Sequence, residues 1–483
     1  MERAAGRGAR GRRGAARGAA RASCRGRGAG GSPDGAVTVG APQQDGAAAR
    51  RGRPAQRAPA ARSPPARPAA GGGEVPPAPR SRAAAARAPA AQRRAAVPDG
   101  AAAAPAAACV LPPAAGPLRL REALSRLTPG RQDVSDAAEV VNLVVSQLIQ
   151  AIRSTAGSFS SIERLGAGSY YEHVKVTEPN EFDIMLVMPV ARLQLDECDD
   201  TGAFYYLTFK RNPKEKYLLK FLDEDGKLSA FKMLEALREI IKREVKNITR
   251  NIANVEVTVK RKKPGSPAIT LQIKKPPAEI SVDIILTLKL QQSWPPSTRD
   301  GLKVEQWLGR KVRRELRYES VYLVAKQNKK EKVLRGNTWR LSFSHIEKTM
   351  LNNHGSSKTC CESDGPKCCR KSCLKLLKYL LEQLKLKHPK ELDKICSYHV
   401  KTAFFHCCVM WPNDTDWTWG DLDHCFQKYL GYFLDCLQKS QLPHFFIPQY
   451  NLLSLEDKAS YDFLSRQINH QLNNRFPIFQ EMS

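Results

Sequence analysis

Three short stretches of this sequence hold the residue types that chemistry needs. In "NEFDIML" (180–186), Glu181 and Asp183 stand two residues apart. On a strand, alternate side chains leave the same face, so both carboxylates point one way while Phe182 and Ile184 point to a core. Acids alternating on an exposed face are ordinary, but a third acid, Asp283, lies in the strongly apolar "SVDIILTL". A carboxylate there is costly unless it is paired or bound to metal. If the two strands are neighbours, Glu181, Asp183 and Asp283 form a site for two divalent cations. Mg²⁺, with Mn²⁺ as a substitute, takes one or two carboxylates plus water and phosphate oxygens. The chemistry of such a site is phosphoryl transfer, one ion activating a hydroxyl and the other steadying the leaving phosphate. Upstream, Gly168-Ser169 offers close backbone approach and a hydroxyl to a phosphate, although alone it reads as a common turn.

The third stretch, "HGSSKTCCESDGPKCCRKSCLK" (354–375), has His354, Cys360, Cys361 and Cys368 in the spacing H-x₅-C-C-x₆-C. Four N/S ligands suit a closed, structural Zn²⁺ site. Disulfides and unliganded buried thiols are the alternatives, and Cys369 and Cys373 are substitute ligands. Buried thiols fit Cys407, Cys408, Cys425 and Cys436 better, because these lie in apolar helical patterns. Lys358, Lys367, Arg370, Lys371 and Lys375 surround the loop. They read either as a solvated face or as a rigid grip on phosphates that ignores base sequence.

Elements of two periods must position these groups. "LRLREALSRL" and the stripe Ala137, Val141, Val144, Leu148, Ile152 predict one long helix, with a break signalled at Pro129-Gly130 and Ser135 or Asp136 available as N-cap. The period then changes to short apolar strands around the acids. "VEVTVKR" and "AITLQI" flank Pro264-Gly265 as a hairpin would. After about Trp294 helical patterns return. The expected fold is therefore α+β and two-lobed: a mixed-sheet lobe over 118–293 with a long first helix, and a helical lobe over 294–483 carrying the 354–369 loop.

Residues 1–117 differ from all this. They hold no aromatic residue and no lysine, and their 20 arginines against 5 acids supply +15 of the chain's net +29. Such a segment buries too little apolar surface to offset ordering entropy, so a disordered tail with affinity for polyanions is expected, whether nucleic acid or acidic membrane lipid. No secretory signal is visible at the N-terminus, and no apolar run reaches bilayer length. The 13 cysteines of the 483 residues then belong in a reducing compartment, and the chain is not expected to be secreted.

The order Gly-Ser, about a dozen residues, E-x-D, then a lone Asp in a second apolar strand resembles the polymerase-β-like nucleotidyltransferase superfamily. "GSYYEHVK", "TWRLSFSHIEK", "LNNHG", "KTCC", "KCCRK" and "SYHVKTAFFH" narrow the resemblance to the vertebrate cyclic GMP-AMP synthase family, from about residue 118 to the end. The resemblance implies a two-lobed nucleotidyltransferase activated by double-stranded DNA. It implies joining of ATP and GTP into a cyclic dinucleotide with one 2′-5′ and one 3′-5′ linkage, which signals through the stimulator of interferon genes in innate immunity. Glu181, Asp183 and Asp283 would hold two Mg²⁺ ions; Gly168 and Ser169 would meet nucleotide phosphate. Arg340, Ser342, Ser344 and Glu347 would contact the guanine nucleotide; Lys378, Ser397, Tyr398 and Lys401 would serve the other, with Tyr398 stacking on a base. The zinc loop would be a DNA-gripping spur. Arg119, Arg121, Lys348, Lys371 and Lys375 would lie at DNA, joined by Arg126 and "RKVRREL" (310–316), in a 2:2 homodimer on DNA. Arg192 and Arg211 would bind the nucleosome acidic patch, an inhibitory contact. Residence would be cytosolic and nuclear, with plasma-membrane association through the tail. Ala167 and Ile285 depart from relatives that carry threonine there. The rival enzyme class is an oligoadenylate synthetase, against which the zinc insertion speaks. The rival outside enzymes is an inactive DNA- or chromatin-binding scaffold, against which the intact acids speak.

Overall fold

The computed structural model describes residues 120–481, apart from 129, 156, 177–179, 212–215, 264, 329–335 and 363. The basic tail and Arg119 lie outside the described residues.

The first helical pattern forms two helices: α1 (Leu120–Leu127) and α2 (Arg131–Thr155). The break falls where Pro129-Gly130 signals it. The capping expectation is corrected, because α2 starts ahead of Ser135, with Val134 N–H already bonded to the Gly130 carbonyl. Ala137, Val141, Val144, Leu148 and Ile152 are all buried, as the stripe requires.

A nine-stranded mixed sheet follows. It is built from β1 (Glu163–Ala167), β2 (Glu181–Pro189), β3 (Leu193–Glu197) and β4 (Phe204–Phe209). A one-turn helix α3 (Gly168–Tyr171) lies between β1 and β2, and α4 (Ala230–Asn251) follows β4. Then come β5 (Glu256–Val259), β6 (Ala268–Lys275) and β7 (Ala278–Leu290). After α5 (Glu305–Leu308) and α6 (Arg310–Tyr318), the chain returns to the sheet as β8 (Val321–Val324) and β9 (Trp339–Ser342). The path runs β1-β2-β7-β8-β9-β4-β3, and β6 with β5 branches from β7. The long β7 makes the branch: β2 runs parallel along one edge, while β6 and β8 share the other. β5 and β6 are antiparallel, as their hairpin pattern predicts.

The remainder is helical: α7 (Ser344–Asn352), α8 (Arg370–Lys387), α9 (Ser397–Met410) and α10 (Leu422–Lys439), then a short pair β10 (Pro443–His444) and β11 (Ile447–Asn451), α11 (Lys458–Asn473) and α12 (Pro477–Gln480). Their apolar faces bury Leu374, Leu377, Phe404, Phe426 and Phe433 completely or nearly so.

The expected lobe boundary near 293/294 is corrected. Strands β8 and β9 complete the sheet from beyond it, and α1 packs on α8, α10 and α12 of the helical lobe. Both strands are four residues long, too short for periodicity to stand out in sequence.

Candidate active site and metal centre

Parallel pairing of β2 with β7 sets Asp183 directly opposite Asp283. The alternation holds: Phe182 and Ile184 are buried, whereas Asp183 is half-buried and Glu181 open. Thr270 on β6, also in register with Asp283, donates its hydroxyl to Asp283 Oδ1 at 2.6 Å. Burial, then the charges of Asp283, Glu172 and Glu181, push the Asp183 carboxyl up to about 6. Clustered carboxylates that oppose one another's ionisation are the expected electrostatics of a cation site. The donor set is all-oxygen, which fits Mg²⁺ or Mn²⁺.

The Gly166–Ser169 stretch is not a free loop. Gly166 and Ala167 end β1, and Gly168 starts the α3 turn in a left-handed conformation (φ +74°). Any Cβ on Gly168 would stand 2.0 Å from Asp183 Oδ2, so a side chain there would fill the space at the acid. Ser169 is half-buried on the turn, with its carbonyl accepting from Val174 N–H at 2.9 Å. Ala167 is buried beside Met185, Val187, Tyr322 and Val324, with Ile285 packed against the group, so both departures from threonine are apolar packing positions.

The helical lobe reaches onto this turn with side chains from three helices. Lys348 of α7 donates to the Gly166 carbonyl at 3.2 Å and lies 5.2 Å from the Tyr171 ring centroid. Asn352 donates to the Tyr171 carbonyl at 3.3 Å and accepts from Lys371 of α8 at 3.1 Å. Lys378 donates to the Val174 carbonyl at 2.9 Å, and burial lowers its ammonium to about 8. Lys401 of α9 bridges Glu172 and Glu347, each at 2.6 Å. Burial alone would lower the Lys401 pKa, but the two carboxylates outweigh it and the net shift is upward.

Glu347 also accepts from the Tyr398 hydroxyl at 3.0 Å, and that hydroxyl lies 3.0 Å from His444 Nε2. The half-buried Tyr398 ring is thus held by its hydroxyl, with Ser397 exposed beside it. Burial, reinforced by Arg340, pulls the His444 imidazole down to about 3, so it is neutral at ordinary pH. Arg340, Ser342 and Ser344 are half-buried on β9 and the start of α7, and the two hydroxyls lie 3.2 Å apart. Of the expected nucleotide contacts, Glu347, Tyr398 and Lys401 are thus directly linked. Glu172, Thr270 and His444 escaped the sequence reading. Only Glu172 left a signal there, as an acid a few residues past the Gly-Ser pair.

His354, Cys360, Cys361 and Cys368 converge, with their ligand atoms all within 4.8 Å of one another. Cys360 Sγ lies 3.6 Å from His354 Nε2 and 3.9 Å from Cys361 Sγ, which is 3.8 Å from Cys368 Sγ. A tetrahedron with Zn–S of about 2.3 Å and Zn–N of about 2.0 Å has edges of about 3.6 to 3.8 Å, so the spacing fits zinc. The sharp bend that lets adjacent cysteines share one ion is visible as the left-handed Cys361 (φ +67°). His354 Nδ1 lies 2.8 Å from the Leu351 carbonyl, which fixes the ring with Nε2 toward the sulfurs. Cys369 and Cys373 are not substitute ligands. Both are fully buried, and the Cys369 thiol interacts with Cys373 and Cys425 instead. The loop is anchored by Asp414, which accepts from Ser356 and, at 2.7 Å, from the fully buried Arg370.

Lys358 and Lys367 project from the loop into solvent. Lys371 and Lys375 belong to the first turns of α8 and are half-buried. Burial lowers both, Lys371 to about 8. Arg310, Lys311 and Arg314 are exposed on α6, whereas Arg313 donates to the Leu302 carbonyl at 2.8 Å. On α1, Arg121 is exposed and donates to the Trp419 and Gly420 carbonyls at 3.2 and 2.8 Å, and Arg126 pairs with Glu122 at 2.5 Å. Arg192 and Arg211 are exposed at the same end of the β3–β4 pair, where Leu193 faces Phe209.

Residues 170–353 match the Mab-21 protein nucleotidyltransferase domain, and residues 369–470 match the Mab-21 protein HhH/H2TH-like domain. The junction between the two falls at the His354–Cys368 loop. The fold and the site thus define an enzyme of the nucleotidyltransferase class, whose members of this type use divalent metal ions. The chain is 52% identical over 368 residues to the cyclic GMP-AMP synthase of Mus musculus, covering 76% of this chain and 71% of that one. It is also 52% identical to the cyclic GMP-AMP synthase of Sus scrofa, covering 75% and 73%. A cyclic GMP-AMP synthase-like receptor of Magallana gigas is 26% identical, over 70% of this chain and 55% of its own. The chain belongs to the cyclic GMP-AMP synthase family.

Proposed function

We propose that this enzyme joins ATP and GTP into 2′,3′-cyclic GMP-AMP when double-stranded DNA binds it. The observation that carries the reading is the register of Asp183 against Asp283, with Gly168 in contact distance of Asp183. Glu181, Asp183 and Asp283 would hold two Mg²⁺ ions, which when bound neutralise the phosphates and activate the attacking hydroxyl. Ser169 and the Gly168 backbone would receive a phosphate. Arg340, Ser342, Ser344 and Glu347 would orient the guanine nucleotide; Lys378, Ser397, Tyr398 and Lys401 would orient the adenine nucleotide. The 2′-hydroxyl of GTP attacks the ATP α-phosphate, the bond to the β-phosphate breaks and pyrophosphate leaves. The linear product then turns over, the 3′-hydroxyl of its adenosine attacks the α-phosphate of the guanosine triphosphate end, the bond to the β-phosphate breaks and a second pyrophosphate leaves. The linkage pattern comes from family membership.

DNA phosphates would be met by Arg119, Arg121 and Arg126, by α6, by the zinc spur with Lys371 and Lys375, and by Lys348 at the DNA or dimer contact. Binding by counterion release weakens steeply with salt. Activation is a repositioning of residues 166–169. Arg164 joins Asn142 of α2 to the Tyr171 hydroxyl of α3, at 2.5 and 2.9 Å, so a bend in α2 would be transmitted to the phosphate turn. Hydrogen exchange that stays unchanged at residues 165–180 on adding DNA refutes this coupling. The remaining roles follow the family: a 2:2 dimer on DNA, signalling through the stimulator of interferon genes, cytosolic and nuclear residence, and inhibition by nucleosomes through Arg192 and Arg211. The basic tail adds affinity for DNA or acidic lipid.

The deciding experiment is incubation of the protein with ATP, GTP, Mg²⁺ and long double-stranded DNA, with products read by mass. Cyclic GMP-AMP supports the reading. An adenylate ladder identifies an oligoadenylate synthetase, and no product identifies a scaffold.

A further inference from the structure

One charged residue next to the acids is left without a role by everything above. Lys175 lies between the phosphate turn and β2. Its side chain is only 15% exposed, and its Nζ donates to Glu181 Oε2 at 2.8 Å, although the Glu181 side chain is itself 73% exposed. The backbone beneath it is fixed, because Lys378 holds the neighbouring Val174 carbonyl from α8. Lys175 is therefore aimed at Glu181 and not into solvent.

Sheltering an ammonium group is costly unless it is paired, so Lys175 must answer a local excess of negative charge. Glu181, which it bonds, and Glu382, which feels its charge, supply that excess. Lys401 pairs with Glu172, which leaves Lys175 as the cation bonded to Glu181. An oxygen held by an ammonium group is less available to a divalent cation, so Lys175 and a metal compete for it. A nucleoside triphosphate bound at the acids brings new acceptors to the same place. Lysine serves phosphates as a mobile point charge on a flexible stem, and can change partner without backbone movement. The geometry points to Lys175 as a further phosphate-binding residue of the reaction site, one that holds Glu181 in the nucleotide-free enzyme and passes to the triphosphate when a divalent cation takes the carboxylate. This rests on the reading of Glu181, Asp183 and Asp283 as metal ligands.

The test uses the full-length protein with its zinc in place and compares Lys175→Met, Lys175→Gln and Lys175→Arg with wild type. Two quantities are measured: Mn²⁺ affinity of the nucleotide-free protein by electron paramagnetic resonance, and KM for ATP in DNA-stimulated product formation. Lys175→Met and Lys175→Gln should bind Mn²⁺ about two- to fivefold more tightly, the range of one exposed ion pair. Their KM for ATP should rise about tenfold or more, the loss of one charge-assisted hydrogen bond. Lys175→Arg should restore both. Opposite movement of the two quantities is the signature, since a merely structural lysine would worsen both together. Weaker Mn²⁺ binding in the Met and Gln variants, or an unchanged KM, overturns the role of Lys175. Asp183→Asn separates the two failures: if it leaves wild-type Mn²⁺ binding untouched, the metal assignment falls and the Lys175 proposal falls with it.

Discussion

Asp183 should be a residue that the fold tolerates at a cost, and replacing it with asparagine should stabilise the metal-free protein. An aspartate ordinarily titrates near 3.8, and here burial and three neighbouring carboxylates raise it to about 6. That shift of about 2 units corresponds to about 3 kcal/mol at 1.36 kcal/mol per unit. The sign follows from linkage. The folded pKa lies above the unfolded one, so the contribution to stability is greatest below about pH 4. It is lost as pH rises through about 6 and stays lost above it. At pH 7.5 the metal-free wild type therefore carries the full penalty, and Asp183→Asn removes the charge while keeping the shape. Part of the relief is given back because an amide still needs partners beside Asp283, so about 1 to 3 kcal/mol should survive. In thermal unfolding this is a rise of roughly 2 to 6 °C. The assay is calorimetry in buffer freed of Mg²⁺ by resin, because a soluble chelator would also strip the zinc loop. Raising Mg²⁺ should then stabilise the wild type and leave Asp183→Asn unmoved. A variant that melts below the wild type without metal, or gains equally from Mg²⁺, would refute the account of the acids as a mutually repelling cation site.

The other predictions concern the supports of the site. Gly168→Ala, with a Cβ 2.0 Å from Asp183 and a left-handed φ, should lose nearly all product formation while DNA binding by mobility shift stays near wild type. Lys401→Met leaves Glu172 and Glu347 buried without their cation and should cost about 3 to 5 kcal/mol in urea unfolding, with part recovered in the Glu172→Gln double variant. Cys360→Ala or Cys361→Ala should lose zinc by metal analysis and lose DNA-stimulated activity first; a variant that sheds zinc yet keeps full stimulation would overturn the reading of the spur. As pH falls below about 6, protons should compete for Asp183 and weaken Mn²⁺ binding by up to tenfold per unit, because the raised carboxyl is then mostly neutral.

Much of the site could be read from the chain because its signals are local. Glu181 and Asp183 share a strand face by simple alternation, and the lone Asp283 is conspicuous against six apolar or β-forming neighbours in "SVDIILTL". The His354–Cys368 cluster likewise lies within 15 residues, so backbone turns alone bring its ligands together. Helices α8 to α10 announce themselves by length and period.

What stayed hidden depends on contacts between residues far apart in sequence. Asp183 and Asp283 became one site only because β2 and β7 run parallel in register, a pairing no periodicity specifies. Glu172 and Lys401 are 229 residues apart and meet only when α9 packs against the phosphate turn. β8 and β9 carry too few residues to show a period, and they are strands because β7 gives partners to the backbone of β8, and β8 and β4 to that of β9. Lys371 and Lys375 looked like loop charges but ride the half-buried start of α8, since the helix begins at Arg370, right after the last metal ligand but one residue. The sequence by itself determined the chemistry available, acids for cations and thiols for zinc, because residue types and short spacings are covalent facts. The tertiary structure alone decided which of those groups share one electrostatic environment, because charges act through space and not along the chain.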